Sequence, residues 1–311
     1  MIRFLAGRLV WSLVTIWFVV SVTFAMVTAI PADPARALVG PHATAETLAR
    51  VRARYCLDRG WLEQYGCFVG RLARGDLGES FRSKRPVVDI IVDGVPATAQ
   101  LALAAILLQL VLGLPLGVVA AVRRGRGVDH AANVVALIGQ SAPTFFIGTL
   151  LVWLLAYRAG WFPIGGYGAP GWDRIHHLAL PAFTLAAVGV AYYARVVRNE
   201  MIDVLSEEYV RTARAKGLSE RRVVVRHALR NALGPVATLI GLDLGVLMGG
   251  AVVTEYIFAW PGLGREVLQA ILEIDIPLIL GVVLFTATVI VVVSFAVDLV
   301  YAWLDPRVRV G

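Results

Sequence analysis

Charged residues are scarce in this chain. Only 16% of its 311 residues are Asp, Glu, Lys or Arg, whereas 58% are hydrophobic, and the mean hydropathy is +0.73. Soluble domains carry about 25% charged and about 45–50% apolar residues. The shortage of charge therefore excludes an ordinary soluble globule and a disordered chain, and it predicts a protein that spans a membrane.

Sequence motifs for catalysis and metal binding are also lacking. There is no GxxxxGK[ST] phosphate-binding loop, and the glycine-rich stretch 125–127 lacks the lysine and the hydroxyl residue of that loop. There is no HExxH motif, and the adjacent His176 and His177 would face apart on a helix. We expect no catalytic residue, no metal and no cofactor in this chain. The net charge of +7 comes without aromatic residues interleaved among the basic ones, so nucleic-acid binding is not expected either.

Six long apolar runs are what the sequence does contain. A helix needs about 20 apolar residues to cross the hydrocarbon core, and every one of these runs reaches that length. Arg3 and Arg8 resemble the basic start of a signal peptide, but the first run exceeds the apolar stretch of about 7–15 residues in such peptides. We interpret it as a retained helix and predict an all-α integral membrane protein with six transmembrane helices. The predicted spans are Leu9–Ile30, Thr98–Val122, Ala131–Tyr157, Ile175–Ala194, Ala232–Thr254 and Ile276–Val297.

The basic residues of the short loops set the expected orientation. Sixteen of them fall on the side that holds both termini, and three fall in the two short loops of the other side. Cytoplasmic loops are enriched in Lys and Arg, so both termini are predicted to be cytoplasmic. The predicted regions are 1–30 for the N-terminal end and first helix, 31–97 for an extracytoplasmic cap, 98–303 for a five-helix core and 304–311 for a cytoplasmic tail.

The predicted cap holds both cysteines of the chain, Cys56 and Cys67. Because the space outside the membrane is oxidising, a disulfide between them is one expectation, and two free thiols are the alternative. Thr44 has the character of an N-cap for a helix over 44–54.

The predicted cytoplasmic loop 195–231 is dense in charge, with nine basic and five acidic side chains. Ser206 is predicted to cap one helix, Gly217 to interrupt it, and Ser219 to cap a second helix. Two interpretations stay open from the residues alone. The loop is either a helix pair lying on anionic lipid or a docking surface for a cytoplasmic partner.

The segment EYVRTARAKGLSERRVVVRHALRNALGP, residues 208–235, resembles the coupling loop of ABC importer permeases. Its small-residue pair Thr212–Ala213, the glycine four positions on at Gly217, and the downstream ALRNAL match that signature, while Arg211 stands where many permeases have glutamate. Five other motifs occur along the chain in the same order as in that family: PADPAR, GDLGES, RPVVDII, TEYIFAWPGLGR and YAWLDPRVR. The chain therefore resembles the inner-membrane permease subunit of bacterial dipeptide and oligopeptide importers, the first permease of the pair.

The resemblance implies a type I importer fold in the bacterial inner membrane and a set of partners. These are a second homologous permease, two cytoplasmic ATPase subunits that bind ATP and Mg²⁺, an extracytoplasmic binding protein and membrane lipid. It also implies which residues contact the ATPase: Glu208, Tyr209, Arg211, Thr212, Ala213, Arg214, Lys216, Gly217, Leu218, Arg221 and Arg222.

Polar residues inside the predicted spans are candidates for the translocation path. An ionisable group in a span is costly and suggests a function, so Asp243 is a candidate to line the path, with a structural hydrogen bond as the alternative. Gln109 and Gln140 are weaker candidates, because amides also join helices. The acidic segment 255–275, with its aromatic residues, is expected at the outer surface, as a docking or interfacial element.

Peptides are the expected cargo, and nickel, glutathione or haem are alternatives within the same architecture. An ion-driven secondary transporter is the alternative from another class. It predicts paired broken helices and internal repeats, and it gives no reason for the charged loop.

Overall fold

The apolar runs form long helices in the computed structural model, which describes residues 2–29, 35–36, 44–54, 56–127, 129, 134, 137, 141–249 and 251–304. In chain order the helices are α1 (Ile2–Ala29), α2 (Ala45–Arg54), α3 (Trp61–Leu72), α4 (Val87–Val122), α5 (Thr144–Leu151), α6 (Trp172–Ser206), α7 (Glu208–Ala215), α8 (Glu220–Arg222), α9 (Leu229–Ala232), α10 (Gly234–Met248), α11 (Val252–Ile257), α12 (Leu263–Leu272) and α13 (Ile276–Leu304). Two π-helical stretches, Val152–Arg158 and Val223–Ala228, follow α5 and α8. The described part of the chain contains no β-strand, so the predicted all-α class is confirmed.

Four helical stretches within this described part are long and apolar enough to cross a membrane: Gly7–Met26, Val87–Val122, Trp172–Ser206 and Ile276–Val297. The pair Glu220–Ala232 and Gly234–Met248, bent by 51°, is a fifth if it forms one broken span. The shorter apolar helix Thr144–Arg158 lies within the predicted third span. Most of residues 128–140, including Gln140, lie outside the described residues.

Two helices extend well past the predicted spans. Helix α4 begins eleven residues before Thr98, because Val87, Ile90 and Ile91 form a helical stripe that is buried against Leu263 and Val267. Helix α6 continues twelve residues past Ala194 for a similar reason.

The continuation of α6 corrects one prediction. Val197 and Met201, which lie beyond the predicted span, are buried residues of α6. The apolar face of α6 therefore continues toward the end of the helix. Ser206 does not cap the following helix. It is the last residue of α6, and its hydroxyl donates to the carbonyl of Asp203 at 2.6 Å. Glu207, in an extended conformation, separates α6 from α7.

The chain divides into two compact units. The first comprises residues 1–97, 248–252 and 262–311, and the second comprises 98–247 and 253–261. In the first unit α1 packs on α13 and on α3, where Phe24 contacts the rings of Trp61, Tyr65 and Phe68.

The first unit also contains both cysteines. Cys56 and Cys67 are joined in a disulfide that links the turn before α3 to the middle of α3. The predicted N-cap at Thr44 is confirmed, since its hydroxyl accepts from the Thr47 N–H at 3.2 Å.

The second unit has its core between α4, α6 and the return segment 223–240. Ala121, Tyr193, Val197, Met201, Val224, Ala228, Ala232 and Val236 are buried together there. Two glycines bring α4 and α6 very close: a Cβ at Gly113 would lie 2.9 Å from the Tyr193 Cβ, and one at Gly117 would lie 2.6 Å from the Ala194 carbonyl oxygen. Gly113 lies beside Tyr193 and Gly117 beside Val197, so the residue numbers of the contacting pairs increase together in the two helices. Helices α4 and α6 therefore run parallel.

Candidate functional site

The predicted helix, glycine turn and helix are present in the segment 208–222. Helix α7 ends in a Schellman turn, in which the Gly217 N–H donates to the Arg214 carbonyl (2.9 Å) and the Leu218 N–H to the Ala213 carbonyl (3.3 Å). Gly217 has φ +76°, a left-handed conformation that other residues adopt at a cost. Ser219 precedes α8 as predicted, in an extended conformation and without a side-chain cap hydrogen bond.

One face of this helix pair is fixed to the rest of the second unit. Val210, Ala213 and Val223 are buried together, with Leu205 and Leu218 packed around them. Tyr209 accepts a hydrogen bond through its hydroxyl from the Asn231 amide at 2.7 Å. Ala213 and Leu218, both predicted to contact the ATPase, therefore lie mainly inside this cluster and support the surface.

The other face is exposed and basic. The predicted contact residues that are exposed are Glu208, Tyr209, Arg211, Thr212, Arg214, Lys216, Gly217, Arg221 and Arg222. Arg214 forms a two-pronged ion pair with Glu220, at 3.1 Å from Nε and 2.7 Å from Nη2. The hydrogen bonds from Arg214 lower the pKa of the Glu220 carboxyl, and those same bonds raise the pKa of Arg214. The pair spans the turn at Gly217 and joins α7 to α8.

Polar side chains within the spans fall into two kinds. Asp243, on α10, is half-buried and lies near the fully buried Tyr193 of α6. Gln109, on α4, is only 4% exposed, and its amide packs directly against Gly189 of α6. That position supports the helix-joining alternative for Gln109, whereas Asp243 stays a path candidate. Gln140 lies outside the described residues.

The acidic segment 255–275, expected at the outer surface, is partly buried within the protein. Glu255 is fully buried and accepts from the Thr98 hydroxyl at 2.9 Å. Asp275 is 1% exposed and accepts from the Ser80 hydroxyl at 2.5 Å. Phe258 and Trp260 are buried as well. Two of the four acids, Glu255 and Asp275, and two of the three aromatic residues, Phe258 and Trp260, are thus part of the folded core. Each of the four contacts residues that lie far away in sequence.

A buried ion pair was missed from the sequence. Asp129, 3% exposed, binds the Arg198 guanidinium through both carboxylate oxygens, at 2.6 Å and 2.8 Å. A sequence separation of 69 residues leaves no local pattern for this pair. The one available signal was a single acid among the basic residues that follow the second span.

With the helices and the loop in place, comparison with known proteins defines the class. Residues 113–310 match the family described as binding-protein-dependent transport system inner membrane component, and residues 1–102 match its N-terminal membrane component. The chain belongs to this family, and it is an inner-membrane permease subunit of an ABC importer, a non-catalytic component.

Particular relatives refine this class. The chain is 40% identical to the di/tripeptide transport system permease protein DppB of Pseudomonas aeruginosa and 38% identical to the dipeptide transport system permease protein DppB of Escherichia coli K12, over 99% of both chains in each case. It is 38% identical to the glutathione transport system permease protein GsiC of Escherichia coli O6:H1, again over 99% of both chains.

A solved structure supports the fold. The inward-facing MetNI methionine ABC transporter matches with a TM-score of 0.54 and 21% identity, covering 70% of this chain and 97% of that one. This similarity confirms the predicted type I importer fold.

Proposed function

We propose that this chain forms half of the translocation path for short peptides and that the segment 208–222 transmits the action of cytoplasmic ATPase subunits to the helices. The observation that carries the proposal is the rigid helix pair closed by Gly217, with one face fixed in the protein and one face exposed and basic. Both the di/tripeptide and the glutathione permeases are near-full-length relatives. Since glutathione is itself a tripeptide, these relatives favour a di- or tripeptide over a metal ion or haem.

The proposed partners follow from the family and from the surface. A second homologous permease completes the path, a binding protein delivers the peptide from outside, and two ATPase subunits bind ATP and Mg²⁺ on the inside. The exposed basic residues Arg211, Lys216, Arg221 and Arg222 complement an acidic groove, and charge of one sign speeds and orients docking. Membrane lipid surrounds the apolar faces of the long helices.

The coupling role has a physical basis in the stiffness of the helix pair. Helix α6 runs from Trp172 to Ser206 and is followed by α7 after a single residue. The buried cluster around Val210 prevents α7 from moving independently of the end of α6. A push on the exposed face is therefore passed to a long helix as a rigid-body displacement.

Asp243 is proposed as the path residue that meets the peptide. Its carboxyl is half-buried in an apolar helix, where a charged group requires a partner. The protonated α-amino group, which every ordinary peptide carries, is such a partner.

The test is uptake and ATPase activity of the whole complex in proteoliposomes, comparing wild type with Gly217→Pro. Proline cannot adopt φ +76° and removes the N–H that bonds Arg214. We expect loss of di- and tripeptide uptake and of binding-protein-stimulated ATPase activity, with the ATPase subunits still bound.

Gly75→Pro is the matched control. Gly75 also has φ +76° and closes α3 with the same Schellman pattern, through its N–H to Leu72 and that of Asp76 to Arg71. It should leave ATPase assembly and basal ATPase activity unchanged. Coupled transport that persists in Gly217→Pro would show that the segment 208–222 is not the coupling element.

A further inference from the structure

The Asp129–Arg198 pair is built more strongly than joining two surface segments requires. Nε of Arg198 donates to Oδ1 at 2.6 Å and Nη2 donates to Oδ2 at 2.8 Å, while the side chains are 4% exposed for Asp129 and 20% for Arg198. The Gly125 N–H donates to Oδ2 at 2.9 Å. Such forked, charge-assisted bonds are short and geometrically specific.

Because the pair is largely buried, each partner depends on the other to compensate its charge. Removing one partner strands a charge away from water, whereas replacing both by apolar side chains of similar size is often neutral for stability. A buried pair is therefore weak evidence of a stabilising role. It is stronger evidence that a defined spatial relation between two segments is being maintained.

The pair joins the segment that follows α4 to the part of α6 that leads into the coupling segment 208–222. Asp129 follows the end of α4, seven residues after Val122, and Arg198 is ten residues before Glu208, where α7 begins. Beneath the pair, Ala121 of α4 packs with Val197 and Met201 of α6. These apolar contacts between α4 and α6 are not directional, whereas the forked hydrogen bonds of the pair fix the position of the α4 end relative to Arg198.

We propose that Asp129 and Arg198 are positioning residues that make the end of α4 and the coupling segment 208–222 move as one body. A displacement of α7 then reaches α4 through a fixed link, so that the two parallel helices move together. This inference rests on the proposed function of the segment 208–222.

The first test is a distance that does not depend on cargo. Spin labels at Arg126→Cys and Ser219→Cys, both exposed positions outside the proposed ATPase contacts, report the distance between the end of α4 and the coupling segment. The native cysteines are joined in a disulfide and do not take label. In the complete complex we expect the same distance without nucleotide and with ATP trapped. A distance that changes on trapping in the wild-type background would overturn the proposal.

The second test separates positioning from stability. Arg198→Met and Asp129→Leu each strand a charge, and the double variant removes both. We expect the double variant to recover the thermal stability and ATPase assembly lost in the single variants. Its peptide uptake per ATP hydrolysed should nevertheless stay lower than wild type by about tenfold, within the usual range of coupling between linked sites. In the double variant, the distance between the two spin labels should also change when ATP is trapped. Recovery of wild-type uptake per ATP would show a purely structural pair.

Arg85→Met is the matched control, because Arg85 and Asp93 form an equally short pair (2.6 Å) whose side chains are 53% and 65% exposed. We expect it to transport as wild type does. Failure of the wild-type complex to import peptides would contradict the proposed cargo and leave the distance test of the pair intact.

Discussion

The carboxylate of Asp275 gathers three donors from a segment almost two hundred residues earlier. It accepts from the Ser80 hydroxyl (2.5 Å), the Phe81 N–H (3.0 Å) and the Arg82 N–H (3.2 Å). Asp275→Asn turns one acceptor oxygen into a donor that faces other donors. We expect a loss of about 1–3 kcal/mol in the free energy of unfolding, as for other buried groups that lose a partner. Thermal unfolding of the purified chain in detergent measures it.

Glu273→Gln is the control for that experiment. Glu273 pairs with Arg82 at 3.0 Å but is 44% exposed, so its removal should cost less than about 1 kcal/mol. Equal losses for the two variants would mean that Asp275 does not anchor the segment 80–82.

The Arg214–Glu220 pair predicts a defined dependence on pH. Because Arg214 lowers the pKa of Glu220 in the folded protein, the pair contributes stability above the unfolded pKa and loses it as the pH falls through the lowered value. A double-mutant cycle with Arg214→Gln and Glu220→Gln should give a coupling of about 0.2–1 kcal/mol at neutral pH, as exposed pairs do. The coupling should be unchanged at pH 5.5 and vanish in strong acid. A coupling that disappears already between pH 7 and 5.5 would contradict this assignment.

At the scale of helices, Gly117 fixes how closely α4 approaches α6. Even a methyl group there would meet the backbone oxygen of Ala194 and the Val197 side chain, at 2.6 Å and 2.8 Å. Gly117→Ala should lower stability by about 1–3 kcal/mol, the usual cost of overpacking. Gly66→Ala, in helix α3 with open space around it, is the control, and it should be neutral or slightly stabilising. If the two variants behave alike in thermal unfolding, the close approach is not what the glycine provides.

The same elements show what sequence reasoning can reach. The long runs around residues 9–30 and 276–297 identified spans because about 20 apolar residues in a row have few other uses. The turn at Gly217 was predictable because its chemistry is local. The early start of α4 was not predictable from the sequence, because Val87 and Ile91 lie within the predicted cap. Only the structure shows that they are buried against Leu263. Ser206 was misassigned because the buried face of α6 continues beneath charged residues. Glu255 and Asp275 carried no visible sign of their distant partners, and the only signal at Asp129 was its place as a single acid among basic residues.

At the scale of the whole molecule, the parallel course of α4 and α6 constrains the topology. Two parallel spans cross the membrane in the same direction, so the segment after Val122 and the segment after Ser206 emerge on the same side. Both segments are rich in arginine, and basic loops stay in the cytoplasm. The beginning of α6, near Trp172, should then lie outside.

Cysteine labelling in intact cells tests this orientation. Ser206→Cys, exposed at the end of α6, should resist a membrane-impermeant maleimide in whole cells and react in inside-out vesicles. Trp172→Cys, at a position that is 79% exposed, should behave in the opposite way. The wild-type chain is the blank, since Cys56 and Cys67 are bonded to each other. Labelling of both positions from the same side would contradict the crossing of α6. Reversed labelling would place the basic face of 208–222 outside, where no ATP-hydrolysing partner could reach it, and would thereby refute the coupling role as well.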